Sequence, residues 1–254
     1  MRIAVVSDIH GNLAALRAVV ADFTRRGVDA VVNLGDSLSG PLLPAETARF
    51  LMAQDWVHLA GNHERQILTL QADACDPSDA YARAQLGAAE LAWIGRLRPR
   101  HALSDEIFLC HGTPANDAEC FLESVVPGRL RPASADEIDR HLGDIGADLI
   151  LCGHTHVPRM VRTTRGQMLA NPGSVGQPAW DDDQPVYHAV ESGAPDARYA
   201  IVERDRGRWS AQLLAVPYDH AAMAALARLH GRPDWDYILR HGYIPPPELN
   251  PAVP

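Results

Sequence analysis

Cysteine is scarce in this chain, and its four copies, Cys75, Cys110, Cys120 and Cys152, form no Cys-x-x-Cys pair. The usual sequence sign of a thiol-held zinc or a dithiol redox site is therefore missing. Cys110 and Cys152 end apolar runs and read as buried thiols. An excess of positive charge is also lacking: 23 basic and 32 acidic residues give a formal charge of −9. That sign disfavours a general nucleic-acid or membrane-surface binder, which needs a basic field. It does not exclude a small phosphorylated substrate, because bound cations reverse the local charge. No stretch approaches the roughly 20 apolar residues of a membrane-spanning helix. The start, Met1-Arg2-Ile3-Ala4-Val5-Val6, meets Asp8 too early for a signal peptide. A reducing cytoplasm suits these features best. Repeats, low-complexity tracts and linkers are absent too, and apolar residues make up an ordinary 46%. Residues 1–254 thus read as one domain, with a motif-bearing core over 1–180 and C-terminal strands and a helix over 198–243.

What is present is concentrated in five short polar clusters: Asp8-Ile9-His10, Gly35-Asp36, Gly61-Asn62-His63-Glu64, His111-Gly112 and Gly153-His154-Thr155-His156. Each follows an apolar, strand-like run. The pattern predicts strands at 3–7, 30–34, 56–60, 107–110 and 149–152, with amphipathic helices at 13–26 and 44–52 between the first three. Such βαβ repetition implies an α/β fold with a largely parallel sheet covered by helices. A helical segment is expected over 79–97, and a helix over 134–145 opening on a Ser134/Glu137 capping box. Strands at 167–170, 198–204 and 209–216, the last two joined by a hairpin turn, precede a helix at 219–229 and an extended Pro245-Pro246-Pro247 tail.

Asp8, His10, Asp36, Asn62, His111, His154 and His156 are metal-type ligands. Hard carboxylates can bridge two cations, and imidazoles suit Mn, Fe, Ni or Zn. Their mixture suggests two divalent ions about 3.5–4 Å apart, the arrangement used for in-line phosphoryl displacement. The remaining histidines, His58, His101, His141, His188, His220, His230 and His241, read as surface or core residues. Asn12 has two readings, the cap of the first helix or a phosphate ligand at the helix entrance, and the cap is preferred. In the loop Pro172-Gly173-Ser174-Val175-Gly176-Gln177-Pro178, the turn reading is preferred over site-lining roles for Asn171 or Ser174.

The order Asp-x-His, Gly-Asp, Gly-Asn-His-Glu, His, Gly-His-x-His resembles the calcineurin-like metallophosphoesterase superfamily, in particular its small bacterial phosphodiesterase and phosphatase branch, across residues 8–156. The resemblance implies a four-layer α/β/β/α sandwich of two packed mixed β-sheets. It implies one metal on Asp8, His10 and His156, another on Asn62, His111 and His154, and Asp36 bridging both. His63 would sit over the substrate as the catalytic proton donor without binding metal, and Asn62 and His63 would face the substrate. A metal-bridging hydroxide would attack small or nucleotide-like phosphodiesters, phosphomonoesters or both. Protein serine/threonine phosphatases and diadenosine tetraphosphatases of the family carry an Arg soon after the Asp; here Ser37-Leu38-Ser39-Gly40-Pro41 follows Asp36, which weakens a protein-phosphatase-like substrate clamp. The rival from another class is a catalytically silent scaffold, which expects eroded ligands. A nuclease is disfavoured by the acidic balance, no membrane partner is expected, and the sequence leaves room for a homo-oligomer.

Overall fold

A computed structural model describes residues 1–69 and 76–246. The chain begins with β1 (Arg2–Val6), α1 (Leu13–Arg26), β2 (Ala30–Asn33), α2 (Pro44–Met52) and β3 (Val57–His58). Three helices follow: α3 (Asn62–Thr69), α4 (Pro77–Gln85) and α5 (Ala88–Ile94). A strand-rich stretch then holds β4 (Arg100–Ser104), β5 (Ile107–Cys110), β6 (Glu123–Val126), β7 (Gly128–Pro132), α6 (Ala135–Leu142) and β8 (Leu149–Leu151). It continues through β9 (Arg159–Arg162), β10 (Met168–Asn171), β11 (Ala179–Asp182) and β12 (His188–Glu191). The hairpin β13 (Ala197–Asp205) and β14 (Arg208–Val216) precedes α7 (His220–Leu229) and α8 (Pro233–His241).

Two five-stranded mixed sheets, ordered β14-β13-β1-β2-β3 and β4-β5-β8-β10-β9, pack face to face. Strand alternation explains how each sheet is buried on both sides. In β1, Ile3 and Val5 enter the core between the sheets, where they meet Leu109, Leu149 and Leu151. Ala4 and Val6 face the other way, onto Leu16, Val19 and Phe23 of α1. Outside the second sheet, Ile138 and Leu142 of α6 cover Ile150 and Leu169. The layers are helix, sheet, sheet, helix, as the resemblance implied. Each large side chain so buried contributes roughly 1.5–3 kcal/mol.

Local signals set the helix ends. The Asn12 side chain accepts the Ala15 N–H at 3.1 Å, and Gly27 (φ 72°) ends α1 by donating to Phe23 O. Both bonds of the Ser134/Glu137 capping box form. The helical segment expected over 79–97 is two helices. Leu86 is extended there and buried beside Ala82 and Ile94, and Gly87 starts α5 with its N–H on Glu90 Oε2.

Several elements lie outside the sequence pattern. β6, β7, β11 and β12 form a third, four-stranded sheet, β11-β12-β7-β6, beyond the two expected. These strands, like the edge strands β4 and β9, are short and carry charges, so tertiary pairing decides them rather than local alternation. The third strand is shorter than its apolar run, covering Val57–His58 with Leu59 bridging Arg98. α8 was not expected either, although Pro233 at its start and left-handed Gly242 at its end mark it. Of the expected Pro-rich tail, Pro247 lies outside the described residues, and Pro245 and Pro246 carry no regular structure. Among the described residues no helix is long and apolar enough to cross a membrane.

Candidate metal centre

The five clusters leave β1, β2, β3, β5 and β8 and converge at the carboxyl ends of both large sheets. Five of their side chains stand on left-handed backbone: Asp8 (φ 56°), His10 (51°), Asp36 (51°), His154 (69°) and His156 (59°). Such a conformation costs a non-glycine residue roughly 1–3 kcal/mol and persists only where surroundings enforce it. Here the loops enforce it on one another. Asp8 N–H donates to Gly35 O, His10 N–H to Asp36 O, and Gly153 N–H to His111 O. Gly61 is required by close approach, since a Cβ there would collide with the Asp36 carboxylate.

The histidines are held from behind. Nδ1 of His10, His111 and His156 lies 2.8–2.9 Å from the carbonyls of Ser39, Leu34 and Gln177. A carbonyl there fixes the proton on Nδ1 and leaves the Nε2 lone pair for the cleft. His10 Nε2 and His156 Nε2 approach to 3.2 Å, and His156 Nε2 lies 3.4 Å from Asp8 Oδ1. On the other side, His111 Nε2 is 2.9 Å from Asp36 Oδ2, and His154 Nδ1 is 3.1 Å from Asn62 Oδ1. Two convergent groups result, Asp8-His10-His156 and Asp36-His111-His154, each with ligand atoms within 4.8 Å of one another.

The donor set fits divalent cations. Both Asp8 carboxylate oxygens are buried without a hydrogen-bond partner, and buried His111 Nε2 faces the Asp36 carboxylate, 2.9 Å away. Burial without compensation is costly for such groups, and a cation among them would compensate it. Burial and neighbouring imidazoles push His10 down to about 3 and His154 to about 4, so both are neutral near pH 7. Burial opposes the charge on Asp8 and Asp36, but the surrounding imidazoles hold both carboxyls below the usual range.

Two carboxylates complete the frame. Glu64 is fully buried and accepts from the N–H groups of Asp36, Ser37 and Gly61, each at 2.8 Å. It thereby staples the Asp36 loop to the Asn62 loop. Asp79, from α4, is 1% exposed and lies 2.8 Å from His63 Nδ1. Burial lowers the His63 pKa, but the Asp36 charge and the Asp79 bond outweigh it and bring it to about 10. Cations on Asp36 would offset part of that rise.

The cleft, about 300 Å³, is lined by His10, Asp36, Asn62, His63, His154 and His156. Asn12 does not reach it. That amide is buried, with Oδ1 on Ala15 N–H and Nδ2 donating to Gly176 O and Tyr218 Oη, so its role is the helix cap and a phosphate contact is not available. Ser174 and Asn171 brace the site from behind through Asp8 O and Gly153 O. The sequence reading did not single out Asp79, Trp180 or Trp235. Asp79 stands three residues after the cap residue Asp76, at a position that looks like an ordinary helix-start carboxylate. Only tertiary folding brings Trp180 of β11 and Trp235 of α8 to the cleft.

A family model, the calcineurin-like phosphoesterase superfamily domain, matches residues 1–193. An uncharacterized protein of Methanocaldococcus jannaschii is 26% identical over 240 residues, covering 85% of this chain and 88% of that one. The crystal structure of a metallophosphoesterase from Sphaerobacter thermophilus is similar with a TM-score of 0.71 at 26% identity, covering 91% of this chain and 95% of that chain. A hypothetical protein from Pyrococcus horikoshii OT3 shares the fold, with a TM-score of 0.71 at 19% identity over 96% of this chain and 99% of its own. The chain belongs to the calcineurin-like phosphoesterase superfamily and is a metal-dependent phosphoesterase.

Proposed function

We propose that the chain is a dinuclear hydrolase of small phosphodiesters, phosphomonoesters or both. Asp8, His10 and His156 would hold one divalent cation, Asn62, His111 and His154 the other, and Asp36 would bridge them. Mn, Fe, Ni or Zn suits this mixed nitrogen and oxygen set. Bound there, two cations lower the pKa of an intervening water and offset charge on the phosphoryl oxygens. The reading is carried by the two adjoining ligand groups in a cleft that no lysine or arginine lines. The chain has no lysine at all. A phosphoester therefore meets positive charge only from cations and from His63.

Hydrolysis forms a bond from the water oxygen to phosphorus and breaks the bond from phosphorus to the leaving oxygen. The departing alkoxide needs a proton. His63, oriented by Asp79, supplies it through the ring nitrogen that Asp79 does not engage. The chain's intact ligand set weighs against a silent scaffold. The free thiols of Cys110, Cys120 and Cys152 support a reducing compartment.

The test is metal analysis of the purified chain with turnover of p-nitrophenyl phosphate, bis-p-nitrophenyl phosphate and a dinucleoside polyphosphate. Two metals per chain with turnover of at least one ester are expected. Two bound metals with no turnover of any would overturn the reading.

A further inference from the structure

The cleft at the metal centre does not end there. A second cavity of about 230 Å³ adjoins it, and Trp180, Trp235, Asp181 and Asp182 line both. Trp180 closes one side, its ring 6.0 Å from His156 and 6.5 Å from His154. Trp235 closes the other, 6.2 Å from His10. A group esterified to a phosphoryl in the cleft would therefore have Trp180 and Trp235 beside it.

The charge of this second cavity narrows what those atoms are. Among the described residues its basic lining residue is Arg232, which lies 6.0 Å over the Trp235 ring, is matched by Asp234 at 2.6 Å and also donates to Ser78 Oγ. Asp76, Asp181, Asp182 and Asp183 also line it. Asp181 is hydrogen-bonded to Tyr187 and Asp182 accepts the Gln184 N–H, but no salt bridge to a basic side chain is seen for Asp181, Asp182 or Asp183 among the described residues. These acids do not converge as metal ligands, since the convergent groups among the described residues are the two at the catalytic cleft. Burial and the charge of Asp183 push the Asp181 carboxyl upward, against the hydrogen bond from Tyr187. An aromatic wall within a negative field selects an organic cation, as in aromatic cages for quaternary ammonium groups. A nucleobase would use the indoles but gain nothing from the acids, and a polyphosphate chain would be repelled.

We propose that the cavity between Trp180 and Trp235, edged by Asp181 and Asp182, is the leaving-group subsite, and that it selects phosphoesters of short alcohols bearing an ammonium group. This rests on the phosphoesterase reading above and adds the substrate class. The positive group lies between the indoles while its phosphoryl end meets the metal ligands, and the freed amino alcohol leaves through the second cavity.

The test compares choline phosphate with 3,3-dimethylbutyl phosphate on the Mn-loaded full chain. The two esters share a shape and differ in the charged nitrogen, so general damage to the enzyme cancels in their ratio. The ratio of kcat/KM should favour choline phosphate by about tenfold or more and collapse towards one in the Asp181→Asn/Asp182→Asn variant. A ratio near one in the parent protein, or one unchanged by the double substitution, would overturn the proposal. So would a higher kcat/KM for AMP than for choline phosphate, which marks a base-stacking platform. Turnover of p-nitrophenyl phosphate separates the two levels: its presence with no preference for choline phosphate fails the subsite alone. If no ester turns over, tryptophan fluorescence decides the subsite independently. Quenching by choline but not by 3,3-dimethylbutanol supports it, and equal or absent quenching overturns it.

Discussion

His63 and Asp79 come from different helices, and their contact gives the proposed proton donor a fixed direction. His63→Asn should keep both metals and lower kcat by roughly 10²–10⁴-fold, the usual worth of a positioned acid. Asp79→Asn should lower kcat by less, with metal content unchanged. Metal analysis alongside steady-state kinetics checks both, and near-parental kcat in His63→Asn would remove its role. Glu64 works on the backbone instead. Glu64→Ala leaves three buried N–H groups unmatched, at about 1–3 kcal/mol each, so the variant should lose several kcal/mol by urea denaturation. These residues differ in how readable they were. The Gly-Asn-His-Glu run itself marked His63, whereas the Asp79 contact spans 16 positions and has no periodic signature.

Elements are stabilised by caps and by faces, and one face carries a pH dependence. His58 of β3 sits between the rings of Trp56 and Trp93, 5.9 and 5.4 Å away. Burial lowers its pKa to about 4, against about 6.5 in an unfolded chain. Between those values the unfolded chain takes up a proton that the folded chain does not, so stability falls as the pH is lowered. The contribution of neutral His58 is whole above about pH 6.5 and is lost as pH drops through about 4. His58→Phe removes this liability, so its stability relative to the parent should rise as pH falls from about 7 to 4. Urea titrations at several pH values check it, and a pH-independent difference would refute the assignment. Helices with strong local signals were legible: α2 over Pro44–Met52 and the boxed start of α6 match the sequence reading. The break at Leu86-Gly87 was not, because an Ala-rich helical pattern tolerates a single glycine until Leu86 finds a core to fill.

At the scale of the molecule, the first sheet joins both ends of the chain, with β13 antiparallel to β1 and β2 parallel to it. We propose that the chain unfolds as one cooperative unit for that reason. The proposed metal ligands draw on both large sheets, so cation binding should stabilise that whole unit. Mn at about 100 times its Kd should add about 2.7 kcal/mol per site, read as a rise in Tm that EDTA reverses. No rise in Tm with bound Mn would mean that the ligands are not held by the fold as described.

The sequence by itself determined the alternating strands and helices of the first half and the seven ligand-type residues behind them. It could do so because apolar periodicity and strand-end polar clusters are local properties. Tertiary structure alone decided the third sheet, the His63–Asp79 contact and the two indoles beside the cleft. Those depend on which surfaces meet, and the meeting partners lie far apart along the chain. The reaction type was therefore written in short motifs, while the shape of the cleft exists only once α8 and β11 reach the proposed metal ligands.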